Sequence, residues 1–448
     1  MKKTLLLLTL LILTQFVIAQ NIQEICETST TNGTIVDCQY FNGTLYSTGF
    51  FNVICGEPTN YIAQWENGTW KPSTISINNP GHALTVINDK LYIAKYVESV
   101  DSNWVYVYDN ATLEKVGKGV YLSTASGFSQ LPNIYDIIEY DGKIIACGEF
   151  DRVGEASIKG IMQWDGSSWS ALGPGLSGNI PATAPVMYPH QMMVYNDELY
   201  VIGNFKTAGN QTVNGIAKWN GTEWTNLGAG FNSTVYGITV FNDEIIAGGD
   251  FTESDGTALN RIAKWNGTTW VPLDFGFTPT SANDYIYVHT LKVIDDVLYI
   301  GGGLKQITYT DNSTEVCGGI VSYANNTVNT FMGGVADNDI EAICIENNQL
   351  IVGGGVYGSG YAGIADLPTG VIEYGFNDVT ISPNPFNEVI SINTKNQYIK
   401  YEIINNVGEL VTAGKLENSL ALELPRGFYF LKLIDEANAY SVHKIVKR

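Results

Sequence analysis

The 448-residue sequence predicts an all-β chain: a seven-bladed β-propeller followed by a small C-terminal β-sandwich. Three observations predict it. A Trp-x4-Trp segment occurs four times, at Trp65–Trp70, Trp164–Trp169, Trp219–Trp224 and Trp265–Trp270. A second unit precedes each copy: an apolar run, an Asn or Asp turn, and an apolar run ending in Gly. Charged residues are only 15% while Gly numbers 47, with turn pairs throughout, a composition that favours strands over helices. Self-similarity at a fixed period marks a repeat architecture.

The Trp segment is most regular in Ile216-Ala217-Lys218-Trp219-Asn220-Gly221-Thr222-Glu223-Trp224. It predicts strand, tight turn, strand, because Asn-Gly and Asp-Gly supply the positive φ that hairpin turns need. Asn67-Gly68 sits one place later than its counterparts. A four-residue loop with the two Trp opposed across it is therefore expected in every copy. Alternation with period two then puts both indoles on one face. Filling space between neighbouring sheets is the expected role, ahead of stacking on a sugar.

The preceding unit is clearest in Met192–Phe205 and Gly237–Phe251 and recurs in Ile137–Phe150. It is looser around Val36, Leu84, Leu291 and Ala342. Its turns align at Asn42, Asn88, Asp141, Asn196, Asn242, Asp295 and Asn347, spaced by about 46 to 55 residues. Seven units of two hairpins give seven four-stranded blades over residues 20–376. Packing blades in a ring covers most sheet edges. Units two and six replace the Trp hairpin with Tyr108–Thr112 and Tyr323–Thr327, and unit seven keeps neither Trp. This region resembles the kelch-like and related secreted bacterial propellers through Gly-x-Phe followed by Ile-Ala-x-Trp-Asn-Gly-x-x-Trp. The resemblance implies fold, not activity.

Residues 1–19 predict a secretory signal peptide: Lys2-Lys3, an apolar Leu5–Leu13, and Val17-Ile18-Ala19 before a cut at Gln20. That apolar run is short for a membrane span and no other approaches one, so no transmembrane segment is expected. The formal net charge of −21 disfavours nucleic acid and anionic membrane as partners. Six Cys in an exported chain permit disulfides. One local bridge is expected within Cys26, Cys38 and Cys55, and another between Cys317 and Cys344. Without a CxxC pair a thiolate zinc site is not expected.

From about Phe376 the pattern changes. Ile381-Ser382-Pro383-Asn384-Pro385-Phe386 predicts a linker. Short strand-like runs follow at Val389–Ile392, Ile399–Ile404, Glu409–Ala413, Leu420–Leu424, Tyr429–Ile434 and Ser441–Val446, which predict a small sandwich over 377–448. This tail resembles the type A C-terminal sorting domain of the type IX secretion system. Pro383, Asn384 and Pro385 fit its opening motif and Gly408 its central glycine. Leu424-Pro425-x-Gly427-x-Tyr429 fits its signature, and Lys444-Ile445-Val446-Lys447 its basic-aliphatic ending. Asn405-Asn406 departs from it where an acidic or aromatic residue is usual. The resemblance implies the type IX machinery as partner and export through both membranes to the cell surface or the medium.

Motifs of catalysis are missing from the sequence: no nucleophile elbow, HExxH, phosphate loop or sialidase Asp box. Paired carboxylates of a glycoside hydrolase would be paired in space and leave no motif. One constellation stands out. His82, His190 and His289 each lie six residues before an aligned turn. Tyr135 and Tyr236 take that position in units three and five, and Glu341 in unit seven. The position begins the innermost strand, at the channel mouth, so these six are candidate ligand-binding residues. Three imidazoles near one axis could hold a metal. The sequence requires no cofactor and commits to no metal. The expected function is a secreted or cell-surface binding propeller for a glycan or protein. The alternatives are an extracellular enzyme with its site at the channel mouth, and a structural adhesin.

Overall fold

The computed structural model describes residues 20–25, 31, 33–95, 102–122, 132–180, 187–333, 339–346, 349–356, 359–366, 379–382, 389–394, 398–405, 410–416, 419–422, 424–425, 427–435 and 440–447. The predicted signal peptide 1–19, Cys26, Asn347, Pro383, Asn384, Pro385 and Gly408 lie outside them. Among the described residues the regular elements are all strands. None is a helix long and apolar enough to cross a membrane. The chain divides into two compact units, Met1–Ala365 and Asp366–Arg448.

In the first unit seven antiparallel hairpins follow one another. Their first strands are Ile35–Phe41, Gly81–Ile87, Asn133–Tyr140, Tyr188–Tyr195, Val235–Phe241, Val288–Ile294 and Ile340–Glu346. Six of the aligned turn residues, Asn42, Asn88, Asp141, Asn196, Asn242 and Asp295, sit at φ between 47° and 51°. That left-handed region is tolerated best by Asn, Asp and Gly, so the turn chemistry sets the register of each hairpin. The first strands contact one another in chain order, and the last contacts the first. The sheets therefore succeed one another as in a β-propeller.

Each second strand pairs with a third. In units one, three, four and five a Trp hairpin completes a four-stranded sheet. Trp65 faces Trp70, Trp164 faces Trp169, Trp219 faces Trp224 and Trp265 faces Trp270. The loops differ from the common form expected. In three copies the first loop residue closes a four-residue loop, as Asn220 Oδ1 accepts from the amides of Thr222 and Glu223. In the first copy Glu66 pairs with Thr69, leaving Asn67-Gly68 as a two-residue turn. The later position of Asn-Gly there permits the extra ladder pair.

The indoles belong to apolar clusters between successive sheets. Trp219 and Trp224 pack with Ile145, Leu172 and Val201, while Trp270 packs with Ile202, Leu227 and Phe231. Trp65 and Trp70 pack with Ile35, Ala342 and Ile351, between the last unit and the first. The Trp169 indole donates to the Val116 carbonyl at 2.8 Å, and that of Trp270 to the Leu227 carbonyl at 3.0 Å. Glycine seats these pairs. At Gly173, φ is +59° and an added Cβ would come 2.7 Å from the Trp219 ring. Burying indoles this size supplies much of the cohesion between sheets.

Unit seven is completed by the other end of the chain. The strand Gln20–Glu24 pairs antiparallel with Ser359–Asp366 and parallel with Thr327–Gly333 of unit six. The cysteines correct the bridge expected between Cys317 and Cys344. Cys38 is bonded to Cys344 across 306 residues, and Cys317 is free and buried. Spacing along the chain could not show this, because the ring brings the first and last inner strands side by side. Cys55 is also disulfide-bonded.

In the second unit one sheet joins Val379–Ser382, Val389–Thr394 and Ser419–Ala421. The other joins Leu410–Lys415, Tyr398–Asn405, Gly427–Asp435 and Tyr440–Lys447. Val379–Ser382 is a strand where the sequence predicted linker, held by four ladder pairs to Val389–Thr394. Its alternation was too short to register before the Pro-rich run. Ile390, Ile392 and Leu420 of the first sheet share a core with Ile403, Leu431 and Ile445 of the second. Tyr429 donates to the Pro425 carbonyl at 3.0 Å, which ties the Leu-Pro-x-Gly-x-Tyr segment to itself.

Candidate functional site at the channel mouth

Every one of the seven first strands is interrupted at the same place. The pairing skips one residue between Ile35 and Asp37, Gly81 and Ala83, Ile134 and Asp136, Pro189 and Gln191, Val235 and Gly237, Val288 and Thr290, and Ile340 and Ala342. The skipped residues are Val36, His82, Tyr135, His190, Tyr236, His289 and Glu341. A bulge leaves its extra residue unpaired and re-aims its side chain. The six candidates from the sequence are thus bulge residues. The facing Gly of the second strand has a steric reason. A Cβ on Gly148 would lie 2.0 Å from the Asn133 carbonyl oxygen, and one on Gly354 would lie 1.9 Å from that of Asp339.

The bulge residues and those after them line a cavity of about 570 Å³ bounded by all seven first strands. Their rings meet. His82 and Tyr135 lie 4.7 Å apart by ring centroids, Tyr135 and His190 6.0 Å, His190 and His289 5.2 Å, and Tyr236 and His289 5.7 Å. His190 Nδ1 bonds the Tyr236 carbonyl of the next unit at 3.0 Å. Each imidazole is part-exposed to the cavity and otherwise enclosed by protein. That enclosure lowers the pKa to about 3 for His82, about 4 for His190 and about 3 for His289, so all three are neutral at pH 7. Tyr135 stands between His82 and His190. Among the described residues no group of three or more His, Cys, Asp or Glu is placed to hold a metal ion.

In three units the residue after the bulge stitches neighbouring units. Asp37 accepts from the Cys38 amide at 2.7 Å and from the Leu84 amide of the next unit at 2.7 Å. Asp136 accepts from Ile137 at 2.8 Å and from Met192 at 2.6 Å. Gln191 accepts from the Ile238 amide at 3.0 Å. Loss of hydration outweighs these bonds, raising the Asp37 pKa to about 6 and the Asp136 pKa to about 7. Burial, then the charge of Asp339, raises Glu341 to about 7.

Beyond the bulges lie residues the sequence reading missed. Tyr188 and Tyr287 stand two places before His190 and His289, and the Tyr287 ring lies 6.2 Å from that of His289. The repeated Tyr-x-His was a signal that could have found them. Tyr285 donates to Asp250 at 2.9 Å and Tyr287 to Asp339 at 2.7 Å. Tyr236 and Tyr287 are 5.8 Å apart, and Tyr135 and Tyr188 are 5.7 Å apart. Asp250 and Glu149 sit at second-strand ends, where sequence gives no sign of what they face.

No curated protein matches the chain. Among solved structures it is similar to a catalytically inactive virginiamycin B lyase from Staphylococcus aureus with quinupristin. The identity is 12% and the TM-score 0.46, covering 77% of this chain and 99% of that one. It is also similar to the β-propeller domain of the Trilobed protease from Pyrococcus furiosus. There the identity is 11% and the TM-score 0.40, covering 75% of this chain and 94% of that one. The tail gives a specific match: residues 380–448 fit the family Secretion system C-terminal sorting domain, Por_Secre_tail. The chain thus carries a type IX secretion sorting domain at its C-terminus, which implies export to the cell surface or the extracellular space.

Proposed function

We infer that this exported protein binds a ligand, a glycan or a protein, at the mouth of the channel through its first unit. The observation that carries this reading is the bulge position. It repeats in all seven first strands, yet holds Val, three His, two Tyr and Glu. A position that serves packing alone would repeat its residue, as the Trp positions do. Side chains that differ around one axis suit a ligand that is not symmetric. The arrangement we favour is a signal peptide over 1–19, a seven-bladed propeller over 20–376 and a sorting β-sandwich over 377–448. Seven bulged hairpins contacting in a closed order support the blade count.

An extracellular enzyme at the same mouth is the second reading. It is favoured by Glu341 and Glu149, whose carboxyls are raised by burial to about 7, a range suited to proton transfer. The test is a glycan array probed with the secreted protein. A hit weakened at least about tenfold by His190→Ala and Tyr236→Ala, with the glycan recovered intact, supports binding at the mouth. A hit unchanged in both variants refutes the site, and cleaved glycan favours the enzyme. Deletion of 377–448 should hold the remaining chain in the periplasm. Surface display of the truncated chain would refute the tail's role.

A further inference from the structure

An arc of side chains at the mouth runs across units four to seven, and its hydrogen bonds have a fixed direction. Tyr285 gives its hydroxyl proton to the Asp250 carboxylate. A phenol has one proton, so Tyr285 has only lone pairs left to offer, and its ring lies 5.2 Å from that of Tyr287. The Tyr236 ring lies 5.8 Å from that of Tyr287. Tyr188 lies beside Tyr236. Tyr287 has given its proton to Asp339. Each of two carboxylates thus takes the proton of one phenol, and the arc turns lone pairs and ring faces to an incoming ligand.

An independent observation lies at the near end of the arc. Glu149 is 7% exposed, and its Oε1 has no hydrogen-bond partner. Its contacts are the side chains of Asn133 and Tyr135, and the Tyr135 ring lies 5.7 Å from that of Tyr188. A buried carboxylate oxygen without a donor is costly unless a ligand brings one. At the far end Asp339 and Glu341 repel each other. Arg261 lies beside Asp250 and offsets part of one charge. Asp250 and Asp339 stand along the arc with a single nearby cation among the described residues, Arg261, so the charge of the arc is negative on balance.

We propose that Tyr188, Tyr236, Tyr285 and Tyr287, with Asp250 and Asp339, bind an organic ammonium group. An ammonium brings three donors and no acceptor, which suits the carboxylate oxygens of Asp250 and Asp339 and the lone pairs of Tyr285 and Tyr287. Its charge is attracted by the carboxylates and by the tyrosine ring faces. A sugar brings no charge for the two carboxylates to attract. A carboxylate or phosphate is repelled. The inference rests on the channel-mouth reading and gives it a ligand class. The ammonium belongs either to a small amine or to a lysine side chain on a partner.

The test is calorimetric titration of the full secreted chain with n-butylammonium chloride, N-acetyl-lysine amide, glucose and butyrate. Saturable binding is expected for the two ammonium compounds alone. Asp339→Asn and Tyr285→Phe should each weaken it at least about tenfold. Tyr285 is 64% exposed, so its variant keeps the fold. Equal affinities point to a small amine, and about tenfold tighter binding of the lysine amide points to a protein-borne lysine. Glucose or butyrate binding as tightly as butylammonium, or unchanged affinity in both variants, overturns the inference. So does a complete lack of ammonium binding. A glycan that binds and is lost with His190→Ala would in that case leave the mouth reading standing.

Discussion

The outer hairpin and the inner strand of each repeat come from the same sequence unit but obey different rules. At the outer hairpin four units place the same Trp pair in the same register. At the inner strand seven units share the same bulge but fill it with four residue types. The outer hairpin meets the neighbouring sheet, which is nearly the same surface each time, so one solution is reused. The bulge meets a shared axis, where seven side chains converge and cannot all be large. Uniformity within a repeat protein marks packing, and variation at a fixed backbone position marks what the ring presents.

The largest expected effects break the uniform side of this comparison. Trp270 is 1% exposed and its indole is bonded to the neighbouring unit. Trp270→Ala should destabilise the protein by roughly 3–5 kcal/mol, as should Trp219→Ala, measured by urea unfolding. A loss below about 1 kcal/mol together with abolished ligand binding would place these indoles against a ligand. The Cys38–Cys344 bond closes a loop of 306 residues at the seam. Replacing both cysteines with Ser should cost about 3–5 kcal/mol, read in the same way. Gly173→Ala should cost roughly 1–3 kcal/mol, since the methyl meets the Trp219 ring at a positive φ.

Smaller effects sharpen the variable side through pH. The three channel imidazoles are neutral in the fold, their pKa values lowered to about 3, 4 and 3 by burial. Their contribution is therefore present above the ordinary imidazole pKa and lost as pH falls from about 6.5 toward 3. Asp136 works in the opposite sense. Its pKa is raised to about 7, so its contribution is present below the ordinary carboxylate value and lost as pH rises through about 7. His289→Gln should raise stability at pH 4.5 relative to pH 7, and Asp136→Asn should raise it at pH 8 relative to pH 5. Each change should be about 1–2 kcal/mol by urea midpoints. Parallel pH profiles for both variants and the parent would show that these groups do not titrate as placed.

Much of this architecture is legible in the sequence because turns and ladders are local. Asn42 and its counterparts declare the positive φ, and the Trp pair declares its register. The shared place of His82, His190 and His289 is legible too, because a bulge repeated in every unit keeps the spacing constant. The bulge itself is not legible, since one extra residue does not disturb an apolar run. Asp37 reaches Leu84 and Asp136 reaches Met192 only through the closed order of the strands. The same closure hides Cys38 from Cys344 and joins Gln20–Glu24 to unit seven. The tyrosine arc is illegible for another reason: its members come from loops and strand ends of several units, and only Tyr-x-His repeats.

The most direct test uses fluorine NMR on the secreted chain, with fluorotyrosine in one sample and fluorotryptophan in another, titrated with n-butylammonium. The account predicts that the signals of Tyr236, Tyr285 and Tyr287, assigned through single Phe variants, move with saturation while the outer-hairpin tryptophans stay still. Shifted tryptophan signals beside unmoved tyrosines, or no movement in either sample, would contradict it.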